Sequence, residues 1–401
     1  MTTYIIVGNG IAGNAAAETI RKLDPEGVIH LFSREPHPFY YTPALPEFLA
    51  GTKDLNRLII HPLAWYQEKR IHFHPGVELV GGDAQARYVT DRQGKRYAYD
   101  RLLLATGSNS FVPPIPGADL PGVVTLRTLE DAKRIKEMAA HSRQAVLIGG
   151  GLLGLEAGNG LRQAGLTVTV VEFFPRLLPR QLDEAAAALL QRRLEAMGFR
   201  FYLGATTQEI VRAAGGLEVV LKSGERLPAD MVLISAGVRP EVGLAKALGA
   251  KIDKGVVVDD YLRTSLPEVY AAGDAAEHQG QLYGIWPAAQ EQGRIAGANM
   301  AGGQEVYRGT VPANTLKVVG IDLLSAGEID ADGKLEAAVV SDPEKGTYRK
   351  LVIQDNRLAG VILLGDLTGS AEIQAAIRAG KDVSGLKADF SRPDFDFSRL
   401  K

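Results

Sequence analysis

Two segments have the residue types and spacing to hold the pyrophosphate of a dinucleotide: Gly8-Asn9-Gly10-Ile11-Ala12-Gly13 and Gly149-Gly150-Gly151-Leu152-Leu153-Gly154. In such a G-x-G-x-x-G loop the first glycine (Gly8, Gly149) permits a tight turn. The second (Gly10, Gly151) lets backbone approach the phosphates, and the third (Gly13, Gly154) lets helix pack close to strand. The start of the following helix favours negative charge. A single copy is weak, because glycine turns are common. Here each copy follows an apolar strand, at 4–7 or 145–148, and opens a helix expected over about Ile11–Leu23 or up to about residue 164. A further apolar strand follows each, at 28–32 and 167–171, so the chain repeats a βαβ unit.

An acid about 20 residues further on selects the dinucleotide. Val170-Val171 ends in Glu172, whose carboxylate can accept both ribose hydroxyls of NAD and would repel the 2′-phosphate of NADP. The bland alternative is a surface glutamate at a strand end. After the first motif the strand ends Leu31-Phe32-Ser33-Arg34-Glu35. Ser33 holds the usual acid position there, so Glu35 is a displaced candidate. Two more segments point to FAD as the first nucleotide. Arg101-Leu102-Leu103-Leu104-Ala105-Thr106-Gly107 is a buried strand with a small-residue turn, and Val269-Tyr270-Ala271-Ala272-Gly273-Asp274 ends in Gly-Asp. An acid there can bind the ribityl hydroxyls while the glycine backbone comes close. Either segment alone fits many proteins, whereas their order around two glycine loops is far more specific.

The elements that must position these residues set the organisation. With 401 residues, 46% hydrophobic and 23% charged, the chain reads as two or three globular domains. Its net charge of −2 offers no broad field for nucleic acid or an anionic membrane. No apolar run approaches the roughly 20 residues of a spanning helix, and no signal peptide is evident, so a cytoplasmic protein is expected. There is no cysteine, which removes thiolate catalysis, iron–sulfur ligation by this chain and any dithiol relay. The Pro-rich stretch Val112-Pro113-Pro114-Ile115-Pro116-Gly117 reads as a crossover out of the first sheet, and Ala236-Gly237-Val238-Arg239-Pro240 as the return. A strand at 255–259 and the segment 269–275 then complete the first domain. Beyond about Val311, strand-like runs at 316–319, 350–354 and 360–364 and a helix over Ser370–Ala379 suggest a smaller α+β domain. The polar tail from Leu386 carries Phe390, Phe395 and Phe397, which pin it either to its own body or to a partner.

On these residues the chain resembles the two-dinucleotide-domain flavoproteins, which include glutathione reductase, ferredoxin and rubredoxin reductases, and NADH oxidases, over about residues 3–301. Within that family it is nearest to NADH:rubredoxin reductases and the flavin-binding part of assimilatory nitrite reductases. Pro38-Phe39-Tyr40-Tyr41-Thr42-Pro43, Asn314-Thr315-Leu316-Lys317-Val318-Val319-Gly320-Ile321-Asp322 and Gly360-Val361-Ile362-Leu363-Leu364-Gly365-Asp366 carry that likeness. The chain is also similar to the NADH-linked flavoprotein subunit of phenylglyoxylate dehydrogenase complexes.

The resemblance implies an α/β fold: two doubly wound dinucleotide-binding domains, glutathione-reductase-like, plus a small α+β C-terminal domain. An FAD domain (1–112 and 238–310) would be interrupted by an NAD domain (113–237), with the C-terminal domain at 311–385 and a tail at 386–401. It implies FAD contacts at Ser33, Arg34, Glu35, Thr42 and Pro43, with backbone near Leu79 against the adenine. NAD contacts would include Leu152, Leu153 and Gly237. The helix opened by Trp286-Pro287 would aim its positive end at the flavin pyrimidine. Trp286 would then lie beside the ring, or else pack in a domain interface. Glu156 matches the acidic position near the nicotinamide, or is a plain N-terminal helix charge.

One departure matters. Tyr41-Thr42-Pro43 lacks the redox cysteine of the oxidases, so thiol chemistry is closed to this chain. His72 and His74 alternate on a strand, but two ligands without a third read as surface or core histidines, not a metal site. The expected function is hydride transfer from NADH to FAD, then delivery to a rubredoxin, a ferredoxin or an iron–sulfur subunit, or the reverse. The rivals are an NADH oxidase and a non-catalytic NADH-sensing flavoprotein.

Overall fold

Strands covered on both faces are built from unbroken apolar runs, and this chain has two sets of them. The computed structural model describes residues 1–310 and 313–401, with backbone alone for 313–318. By internal packing it divides into two units. The first is Met1–Thr42, Asp54–Asn109 and Val238–Thr310; the second is Pro43–Lys53, Ser110–Gly237 and Val311–Lys401.

The first unit holds a parallel five-stranded sheet in the order Val269–Ala271, Arg101–Leu104, Thr3–Val7, Val28–Ser33, Ile71–Pro75. Val7 is level with Phe32 on one side and Leu104 on the other, so the central strand delivers its glycine loop between two neighbours. Ile5, Ile6, Leu102, Leu103 and Leu104 are fully buried. Helix Ile11–Leu23 presents an alanine face to helix Trp286–Met300. Gly293 and Gly297 sit on the backbone of Ala12 and Ala16, where any β-carbon would collide. A three-stranded antiparallel meander, Leu79–Asp83, Tyr88–Asp91 and Arg96–Ala98, completes the crossover. The strand expected at 255–259 forms as Val256–Val258, but it pairs with Ala276–His278 in a separate ribbon.

The second unit repeats the plan. Its parallel sheet runs Arg200–Leu203, Thr167–Glu172, Gln144–Ile148, Met231–Ile234, Val123–Val124, with a meander from Thr207–Ala213 to Arg226–Ala229. It also contains an antiparallel sheet in the order Ala313–Val318, Ile321–Gly327, Arg357–Leu364, Thr347–Gln354, Glu336–Asp342, backed by helix Ser370–Ala379. Asp355 and Asn356, at φ +50° and +58°, make the two-residue hairpin turn between its third and fourth strands in space. The tail packs on its own body: Phe390, Phe395, Phe397 and Leu400 join the core of this sheet with Leu351 and Ile373. Arg349 secures it by donating to the carbonyls of Phe390 and Arg392.

The expected α/β class with two doubly wound sheets is present. The finer domain division stays a proposal, and its boundary at Val311 lies outside the described residues. One grouping differs from it. Pro43–Lys53 packs with the second unit, because Leu45 and Leu49 are buried there and the bare Cα of Gly160 admits the Pro46 carbonyl.

Candidate functional site

Each unit carries its own candidate dinucleotide cradle at the C-terminal edge of its parallel sheet. In the first, Gly8 has φ +118° and faces the Ala105 carbonyl, so no side chain fits. Gly13 is pressed on the Gly8 carbonyl. Gly10 differs: an added β-carbon would meet nothing within 4 Å, so its open face is space a ligand can fill. As N-cap of helix Ile11–Leu23 it supplies no capping side chain, and the first turn has no acid. The helix start therefore presents amide donors and positive potential, which suits a pyrophosphate.

Around that loop the structure brings several expected residues together. Ser33 is buried at its strand end, and Arg34 turns outward to donate to Asn109 Oδ1 at 2.6 Å. Glu35 accepts from the Tyr40 hydroxyl at 2.8 Å. Thr106, between Ala105 and Gly107, donates to the Glu241 carbonyl at 2.5 Å. Ser108 donates to Asp274 Oδ2 at 2.7 Å, which ties the turn after Arg101–Leu104 to the Gly273-Asp274 turn. Gly273, at φ +78°, gives its amide to buried Gln292 at 2.8 Å. Pro287 lies in the first turn of helix Trp286–Met300, which again lacks a side-chain cap and an acid. Trp286 is half-buried and stacks on Phe39 at 5.9 Å, with Tyr41 edge-on at 5.0 Å. Thr42 is half-buried and Leu79 is buried at the start of the meander, whereas Pro43 belongs to the second unit and is exposed there.

In the second cradle Gly149, at φ +117°, faces the Ser235 carbonyl, and Gly154 rests on the Gly149 carbonyl. Gly151 is the open, uncapped N-cap of helix Leu152–Gln163, with Leu152 half-buried and Leu153 exposed beside it. Glu172 is buried at the strand end against Gly150. Gly237, at φ +97°, has an open face and accepts the Phe111 amide at 2.8 Å. Glu156 lies beyond the first helical turn, which argues against a simple N-terminal charge. Its Oε1 accepts the Val319 amide at 3.0 Å. Burial, reinforced by Glu47, holds its carboxyl above the ordinary value, although the Val319 bond works the other way.

His72 and His74 form a stack with His30, whose Nδ1 lies within hydrogen-bond distance of His74 Nε2, at 2.9 Å. His30 and His72 centroids are 4.9 Å apart, and His74 lies flat on Phe32 at 4.3 Å. Glu241, Asn109, Ser108 and Gln292 were not anticipated. The only trace of Gln292 in the sequence is a polar residue among the small and apolar residues of its helix, which it shares with Asn299.

Comparison with known proteins adds to this geometry. The profile of a family described as pyridine nucleotide-disulphide oxidoreductase matches residues 2–293, and that of the rubredoxin NAD+ reductase C-terminal domain matches 312–381. The chain is 37% identical over 393 residues to an assimilatory nitrate reductase electron transfer subunit of Bacillus subtilis (strain 168), covering 97% of this chain and 51% of that protein. It thus spans about half the length of the first curated relatives it matches. It is 31% identical to the NADH-dependent phenylglyoxylate dehydrogenase subunit epsilon of Aromatoleum evansii, covering 97% of this chain and 94% of that one. The crystal structure of a ferredoxin reductase for the CYP199A2 system from Rhodopseudomonas palustris superposes with a TM-score of 0.91 at 27% identity, covering 100% of this chain and 99% of the other.

Proposed function

Because the chain belongs to the pyridine nucleotide-disulphide oxidoreductase family, whose members use FAD and NAD(H), we propose that it moves electrons between NADH and a one-electron acceptor. The observation that carries this reading is the pair of open, uncapped glycine cradles in a chain without any cysteine. FAD, when bound, would supply the hydride and single-electron chemistry that the side chains of this protein lack.

The protein's part is to bind and orient. The first cradle, with Gly8, Gly10 and Gly13, would hold the FAD pyrophosphate, with Ser33, Arg34 and Glu35 toward its adenosine end and Leu79 behind the adenine. Asp274, oriented by Ser108, would accept from ribityl hydroxyls, and the turn Ala105-Thr106-Gly107 would line the same stretch. The helix start at Pro287 would favour negative charge on the reduced ring, with Thr42 and Trp286 along its edge. In the second cradle Gly149, Gly151 and Gly154 would receive NADH, with Leu152, Leu153 and Gly237 against it. Glu172 would accept its ribose hydroxyls, and Glu156 would face the nicotinamide end.

The acceptor we favour is a rubredoxin, a ferredoxin or an iron–sulfur subunit of a larger complex. A protein named electron transfer subunit and a ferredoxin reductase among the similar proteins support that choice. No helix among the described residues is long and apolar enough to cross a membrane; a cytoplasmic site of action is part of the proposal.

The test is anaerobic. NADH should bleach the flavin at about two electrons per FAD without a thiolate charge-transfer band, and a rubredoxin or ferredoxin should then reoxidise it much faster than oxygen does. Equal rates with oxygen would favour an oxidase, and a flavin that NADH fails to reduce would favour a sensor.

A further inference from the structure

We infer that Asn14, His61 and Tyr66 are positioning residues that hold the first glycine loop in the shape that receives the FAD pyrophosphate. The inference rests on the reading that the first unit binds FAD. Asn14 is 1% exposed in a helix whose other buried residues are Ala12, Gly13, Ala15, Ala16, Ala17 and Ile20. A buried amide there is unfavourable unless its bonds are made, and here they are. Its Nδ2 donates to Asn9 O at 3.1 Å, Asn9 Oδ1 at 3.0 Å and Gly10 O at 3.0 Å. Three acceptors around one nitrogen fix which way the amide points.

Asn14 Oδ1 must then accept, which makes His61 Nδ1, at 3.1 Å, the donor. Burial holds the His61 imidazole below its ordinary value, with Lys69 adding, and its Nε2 faces Glu18 Oε1 at 3.4 Å. The ring is fixed by stacking on Trp65 at 3.7 Å, with Phe39 edge-on at 5.3 Å. From the other direction the Tyr66 hydroxyl donates to Asn9 Oδ1 at 2.8 Å while accepting the Phe39 amide at 3.0 Å. Asn9 Nδ2 reaches the His37 carbonyl at 3.2 Å.

The loop residue between Gly8 and Gly10 is therefore tethered from both sides. The loop atoms that Asn14 and Tyr66 hold are all oxygens, so the tether draws on none of the loop's backbone amide donors. Those donors are what a pyrophosphate needs, and fixing the loop beforehand removes an ordering penalty from binding.

The experiment uses apo-protein, titrated with FAD and followed by quenching of flavin fluorescence, with ADP-ribose binding to the FAD-saturated protein as the readout of the second cradle. Asn14→Leu, Tyr66→Phe and His61→Phe should each raise the FAD Kd about tenfold or more. His61→Phe keeps a ring to stack on Trp65 but loses the N–H donor. His61→Asn restores a donor at that position and should recover most of the affinity. ADP-ribose should bind every variant like the wild type. An unchanged FAD Kd in Asn14→Leu and Tyr66→Phe would overturn the inference. So would a parallel loss of ADP-ribose binding, which marks general damage to the fold. A wild-type apo-protein that takes up no FAD would instead defeat the cofactor assignment itself.

Discussion

Glu172 folds back over Gly150: its Oε2 accepts the Gly150 amide at 2.5 Å while its Oε1 accepts the Phe174 amide at 2.8 Å. Both carboxylate oxygens are thus oriented by backbone before any ligand arrives. Charge-assisted bonds of this kind fix geometry firmly. A β-carbon at Gly150 would press on the side chains of Glu172 and Leu177, so glycine there leaves the carboxylate its room.

Glu172→Ala should therefore narrow the preference for NADH over NADPH, raising the NADH KM by about tenfold with a smaller change in kcat. Steady-state kinetics with both nucleotides decide it. A preference ratio that stays at the wild-type value would remove Glu172 from the ribose site.

Gly10→Ala and Gly151→Ala should fold normally and yet lose one cofactor each. Their φ angles, −82° and −78°, suit any residue, and an added methyl has open space around it. Melting of the apo-protein should move by about 1 kcal/mol or less, the usual difference between glycine and alanine at an N-cap. FAD content should fall in the first variant alone, and NADH affinity in the second alone. Gly8→Ala, by contrast, should fail at folding, because it combines φ +118° with a clash against the Ala105 carbonyl.

The histidine stack makes a pH-dependent contribution to stability. Burial, with His30, His72 and Lys95 nearby, pushes the His74 imidazole from its ordinary 6.5 down to about 4. The folded protein then binds this proton less readily than the unfolded chain, so protonation favours unfolding. Its stabilising effect is complete above about pH 6.5 and is lost as the pH falls toward 4. Urea midpoints measured from pH 7 to 4.5 should decline, and His74→Phe, which keeps the stack on Phe32, should decline less steeply. Parallel slopes for the two proteins would contradict this.

Phe390→Ala should destabilise the second unit by about 3–5 kcal/mol, the usual loss for a large aromatic removed from a core. Phe390 is fully buried and sits edge-on to Phe395 at 5.0 Å. Urea unfolding should register it, with FAD content at low temperature unaffected. A shift below about 1 kcal/mol would mean that the tail is only loosely attached.

The parts legible in the sequence are those that backbone geometry forces on it. Gly8, Gly13, Gly149 and Gly154 stand where no β-carbon fits, and Gly10 and Gly151 where a ligand needs the room, so the spacing itself announces the loops. Helix Ile11–Leu23 could be read from its loop and its alanines for the same reason. Contacts between residues distant in sequence leave no such trace. Glu241 meets Thr106 across 135 positions, and His61 meets Asn14 across 47. A polar side chain in a loop or helix does not announce which distant partner it will find. Pro43–Lys53 leaves no mark in the sequence because its helix Leu45–Leu49 is only 5 residues long, too short for periodicity to show. In the tail, Phe390, Phe395 and Phe397 were visible as anchors, but their shared pocket is built by strands and a helix that only the fold assembles.

Gly293 and Gly297 leave no slack between helices Ile11–Leu23 and Trp286–Met300. Backbone meets backbone there, so neither helix can slide or tilt without carrying the other, and the two behave mechanically as one girder. Mutational tolerance along the second helix should be strongly lopsided as a result. On the outward side, Gln290, Glu291 and Arg294 are exposed and have room for almost any side chain. On the inward side, the smallest change available, a single methyl group, would wedge the girder open and shift both of its ends together.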